Sequence, residues 1–135
     1  MARTNNIFTV PGMLAGADLS AKQFYCVKMS TTDNTVSLCD TQGETIFGVL
    51  QNKPDASGVA AEVMALGISK VEAGETLTAG DLWGTSASGT AVKIEGTNTG
   101  ADLADYAAGI VIEGAASGEL ASVTIGIHNI QIVGA

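Results

Sequence analysis

The sequence holds one histidine, His128, and two cysteines, Cys26 and Cys39, thirteen residues apart. Tetrahedral zinc sites draw on paired Cys and His ligands at short spacings, and no such pair is present. No serine lies in a G-x-S-x-G turn, and the glycine-rich run EGTNTGAD lacks the G-K-[ST] ending of a phosphate cradle. Ser57, Ser88, Ser117 and His128 therefore read as loop and turn residues. The expectation is a chain with no catalytic residues, no cofactor, no metal and no small-molecule substrate.

Basic residues are scarce as well. Six Lys and Arg against fourteen Asp and Glu give a net charge of -8. Neutralising phosphates takes clustered cations, so no nucleic-acid partner is expected. Asp33, Asp40, Glu44 and Asp55 could gather at one rim, but acidic loops on an acidic chain are ordinarily solvated. No apolar run of 18 or more residues occurs, which leaves no membrane-spanning helix. A basic segment followed by an apolar core is missing from the start, so the chain is expected to be made and assembled in a host cytoplasm. Aromatics are 4% and charged residues 15% of the sequence. The core must then be aliphatic, and a surface so poor in charge is expected to be covered by partners.

What the chain does have is a repeat. GVLQNKPDASGVAAEVMALGI from Gly48 returns as GIVIEGAASGELASVTIGI from Gly109, and LSAKQFYCVKM from Leu19 is echoed by LTAGDLWGTSA from Leu77. Two units of this size are too few for a solenoid, which needs about three or more. They imply one pseudo-two-fold β-domain, residues 19–135, with pseudo-repeats at 19–67 and 77–127. Glycine is too frequent for a long helix, and short apolar runs bounded by Gly, Asp, Asn and Ser read as strands. They fall at 23–29, 35–40, 46–51, 60–66, 68–72, 82–85, 91–94, 107–113, 121–127 and 130–133. The fold class is all-β, a single small barrel or sandwich of about ten short strands. Residues 97–106 read as a polar loop, with one helical turn as the alternative.

If residues 31–34 form a four-residue loop, Val27 faces Leu38, Met29 faces Val36 and Cys26 faces Cys39. Tyr25, Val27, Met29, Val36 and Leu38 then share an apolar face, while Cys26, Lys28, Ser37 and Cys39 share the other. Opposed cysteines could bridge, but a reduced pair is expected of cytosolic thiols. Residues 1–18 stand outside the repeat as an N-terminal arm. They form either a frayed end or a strand lent to a neighbour, and Ile7, Phe8 and Val10 are the candidate partner-binding residues.

Four runs resemble a known family: AGADLSAKQFYCVKM, ETIFGVLQNKPDASGVAAEV, GISKVEAGETLTAGDLWGTSASGTAV and AAGIVIEGAASGELASVTI. Across Leu14 to Ile127 they are similar to the capsid decoration, or cement, proteins of tailed bacteriophages. The resemblance implies a barrel-like β-fold, no catalytic residues, and binding to the major capsid protein shell on the outside of the virion, often as a homotrimer at three-fold positions. The other class compatible with the sequence is a carbohydrate-binding adhesion module on the virion surface. Trp83 is its candidate stacking residue, set against a role as a core plug.

Overall fold

A computed structural model of the chain describes residues 2–94, 104–126 and 130–133. The strands are β1 (Asn5–Val10), β2 (Leu14–Ala15), β3 (Cys26–Met29), β4 (Thr35–Leu38), β5 (Gly48–Leu50), β6 (Val63–Glu72), β7 (Leu82–Thr85), β8 (Ala91–Lys93), β9 (Ala104–Ala107), β10 (Gly109–Glu113), β11 (Leu120–Ile125) and β12 (Ile130–Val133). Among the described residues there is no helix, in keeping with the all-β expectation. Ten strands form one mixed sheet, and β12 and β9 form a separate antiparallel pair.

The longest strand, β6, organises the rest. It pairs with β1 over Val63 to Ile68, with β5 at Val63 and Met64, and with β11 from Gly67 to Glu72. A strand has two edges, so β1 occupies one while β5 and β11 share the other in succession. Gly67 lies where this shared edge passes to β11, at φ +137°, and an added Cβ would come within 2.6 Å of the Asn5 carbonyl oxygen on β1. The sequence suggests two strands broken at this glycine; the structure keeps one strand through it.

From β6 the sheet runs outward as β5-β3-β4-β2 and as β11-β10-β7-β8. The quartets β4-β3-β5-β6 and β8-β7-β10-β11 therefore share one pairing order. Strand order carries no rotation axis, so the likeness is one of connectivity. It extends to individual pairs: Leu50 opposes Val63 in the first half, and Val111 opposes Val123 in the second. The inner faces of both quartets meet in one core that includes Cys26, Val49, Met64, Val71, Trp83, Val111 and Val123. The sheet curls without closing into a barrel. Its halves touch through Cys26 N–H to Gly89 O at 2.8 Å and Gly43 N–H to Thr85 O at 2.9 Å.

Each half is also covered on its outside. Met13, Ala15 and Leu19 pack against Val27, Val36, Leu50 and Val63, while Ala107 packs with Val92 and Ile94. This second covering alters two expectations. The β3–β4 register is as the alternation predicts, with Val27 opposite Leu38 and Met29 opposite Val36. Cys26 and Cys39, however, sit in the main core, so the face that carries them is buried, and Met29 on the supposed core face is exposed. Residues 104–106, read from sequence as loop, belong to β9. The possible helical turn at 97–103 and His128 lie outside the described residues.

Candidate interaction surface

Within the single chain the arm is paired rather than frayed. Residues 5–10 form β1 along the free edge of β6, with register shifts on both sides of Phe8. Arg3 reaches beyond β6: its backbone N–H donates to Ser122 Oγ at 2.7 Å, and its Nε lies 3.5 Å from a Glu113 oxygen. Val10 turns inward against the second core. Ile7 and Phe8 do not, and their relative exposures of 70% and 47% are the two largest among the exposed large hydrophobic residues. The sequence thus marks two outward-facing residues and one anchor. The edge strand itself, NNIFTV, carries no charge or proline to discourage pairing.

The acidic residues divide. Lys28 Nζ lies 2.6 Å from Asp40 and 3.2 Å from Glu44, and Glu44 also accepts the backbone N–H groups of Asp40 and Thr41. The ammonium holds the Asp40 carboxyl below its usual range, while hydrogen bonding to Asp40 and Glu44 raises Lys28. These carboxylates already have a cation. A groove of about 370 Å³ opens beside them, lined by Lys28, Met29, Glu44, Thr45, Ile46 and Phe47. Asp33 and Asp55 stand apart on exposed loops. Among the described residues, no cluster of three or more His, Cys, Asp or Glu could hold a metal ion.

Cys26 and Cys39 are both buried and unbridged. Desolvation drives both thiols upward, Cys39 to about 12, with the neighbouring Glu44 charge adding to the shift. The thiolate is the reactive form, so neither should react with a water-soluble thiol reagent at about pH 8 while the protein is folded. Both should react after denaturation. Stoichiometric labelling of the folded protein would contradict this placement.

Trp83 is fully buried, and its indole N–H donates to Thr124 O at 2.9 Å. A ring enclosed in this way cannot stack on a sugar, which removes the candidate on which the adhesion reading depended. The sequence gives no signal for a different aromatic pair, Phe24 and Tyr25. Phe24 has φ +68°, a left-handed conformation that bulky residues rarely adopt. Tyr25 OH donates to Glu72 Oε2 at 2.7 Å, which raises the phenol's pKa. Lys70 lies over the Phe24 ring and Lys22 over the Tyr25 ring.

No protein-family model and no curated protein sequence matches this chain. Among solved structures it is similar to the N base of head fiber gp8.5 of bacteriophage phi29, with a TM-score of 0.61 and 20% sequence identity. The match covers 95% of this chain and 98% of the other, so the likeness extends over nearly the whole of the fold described above.

Proposed function

We propose that this chain is a non-enzymatic bacteriophage decoration protein that binds the outside of the assembled icosahedral head and stabilises it. The observation that carries this is the end-to-end likeness of its fold to a phage head-fiber base. The sequence resemblance to cement proteins points to the same role. A low charge fraction, an uncharged strand edge and two outward apolar side chains suit a protein that works by docking. The partner in this proposal is the major capsid protein shell, and the decorating unit is a homotrimer on the virion's outer surface.

Such a protein needs no reaction. A ligand that binds the assembled shell and not its separated parts shifts the assembly equilibrium by about 2.7 kcal/mol per site at a hundredfold excess over Kd. Many equivalent sites on one shell multiply that shift. Ile7 and Phe8 are the proposed capsid contacts, with Val10 seating the strand that presents them.

The test is co-sedimentation with expanded, undecorated capsids, read as saturable stoichiometry and a rise in capsid melting temperature. Replacing Ile7 and Phe8 together by Ser should weaken binding by about tenfold or more, because two apolar anchors of this kind are worth about 1.5–3 kcal/mol each when fully buried. The chain should stay folded, since both side chains are already exposed. No binding of the wild type at micromolar concentration would overturn the function. Unchanged binding of the variant would overturn the assignment of the contact.

A further inference from the structure

Three of the six basic residues face carboxylates within the chain: Arg3 with Glu113, Lys28 with Asp40 and Glu44, and Lys93 with Asp81. Lys22 and Lys70 have no carboxylate partner among the described residues. Each instead lies over an aromatic ring, Lys22 at 4.8 Å from the Tyr25 centroid and Lys70 at 5.7 Å from that of Phe24. Neighbouring residues in an extended chain point to opposite faces, yet Phe24 lies beside Lys70 and Tyr25 beside Glu72, two positions on one face of β6. The left-handed turn at Phe24 is what brings both rings to the same side. Leu120, opposite Glu72 on β11, adds an exposed aliphatic side chain. A strained backbone thus assembles an aromatic face whose two lysines outnumber its one carboxylate, Glu72, on a chain whose net charge is -8.

The same chain carries the complement. Leu14 and Val59, both partly exposed, are brought together where Ala15 N–H donates to Val59 O and Leu14 bridges Ala60. Leu14 N–H also donates to Asn34 O, next to Asp33, and Val59 N–H donates to Ala56 O, next to Asp55. Asp33, Asp55 and Glu62 are exposed around this end, against the single cation Lys53. None of the three carboxylates has a cation partner among the described residues.

We propose that the Lys22, Phe24, Tyr25 and Lys70 face is the surface by which one copy of this chain holds the next, receiving the acidic end around Leu14 and Val59 of its neighbour. The pairing rests on the reading of the protein as a homotrimer and names the surfaces that form it. Lysines facing their own copies would repel, so an isologous two-fold dimer through this face is disfavoured. The contact is heterologous, the type that closes into rings. The rings and aliphatic side chains supply apolar area, and the charges set orientation and exclude wrong pairings.

Native mass spectrometry and sedimentation velocity of the full chain at micromolar concentration test this. The wild type should form a closed oligomer that weakens by about tenfold or more between about 0.1 M and about 1 M salt, as the screening length falls from about 10 Å to about 3 Å. Lys22→Glu with Lys70→Glu should give a folded monomer, and so should Asp33→Lys with Asp55→Lys. The four substitutions combined exchange the two signs and should restore assembly. Should either double variant fail to fold, Lys22→Gln with Lys70→Gln and the salt series on the wild type report on the same contact. A monomeric wild type, a double variant that assembles like the wild type, or a folded fourfold variant that stays monomeric would each overturn the proposal. Capsid co-sedimentation of the wild type is read separately. Shell binding without self-association removes only this interface, whereas self-association without shell binding removes the decoration function.

Discussion

Trp83→Ala should remove about 3–5 kcal/mol of stability, in the range measured for large aromatics deleted from packed cores. For a domain of this size that is a fall in melting temperature of about 10 °C or more, and a large part of a typical total of about 5–15 kcal/mol. Trp83 is fully buried in the core that joins the two halves of the sheet, and with aromatics at 4% of the chain few other rings could fill its space. It also forms a polar tie between strands. Trp83 opposes Gly109 on β10, while its indole N–H reaches Thr124 O on β11, one strand further on. Trp83→Phe separates the two contributions. It retains most of the packing but leaves the Thr124 carbonyl without that donor, a loss of about 1–3 kcal/mol. Denaturant unfolding of both variants checks the ranking. A loss below about 1 kcal/mol for Trp83→Ala would mean that the two halves are not joined through this residue.

The sequence makes legible whatever depends on neighbours along the chain. The β3–β4 hairpin follows from period-two alternation and a short loop, and its register is as those two features require. Alternation misleads where its premise of one wet face fails: Cys26 and Cys39 alternate against an apolar face, but the opposite quartet buries their face too. Non-local pairing is the other blind spot. β9 lies mostly in a stretch that reads as polar loop and gains its pairing from β12, more than twenty residues later, and β1 gains its own from β6. Gly67 looks like a terminator because glycine usually punctuates strands. Here it allows one strand to pass from one partner to the next with β1 tight against its back. The interaction surface divides in the same way. Ile7 and Phe8 are visible as apolar residues that the repeat does not account for. The platform at Phe24 and Tyr25 is not, because it depends on a positive φ at a residue type that seldom adopts one.

Gly109→Ala should be nearly as damaging as loss of the tryptophan, at about 3 kcal/mol, for the opposite reason. A Cβ at Gly109 would lie 2.0 Å from Thr124 O and 2.8 Å from the Thr124 carbonyl carbon. Both are backbone atoms of β11, a strand paired on both edges, so no flexible side chain can yield and the strands must separate. Overpacking of this kind costs about 1–3 kcal/mol or more even where side chains can adjust. The repeated glycine has the same reason in the first half, since a Cβ at Gly48 would lie 2.3 Å from Met64 O on β6. Gly48 and Gly109 open the two matching segments of the sequence, and each lies against a backbone carbonyl of the neighbouring strand. Gly48→Ala should therefore be destabilising to a similar degree. Gly118 is the control: it has φ +85° but open space around its would-be Cβ, so Gly118→Ala should cost only the left-handed strain of about 1–2 kcal/mol. If Gly109→Ala unfolds no more easily than Gly118→Ala, conformation rather than contact explains the glycines. If Gly48→Ala and Gly109→Ala both fall well below Gly118→Ala in unfolding free energy, the close approach of backbone to backbone is what the two halves of the sequence hold in common.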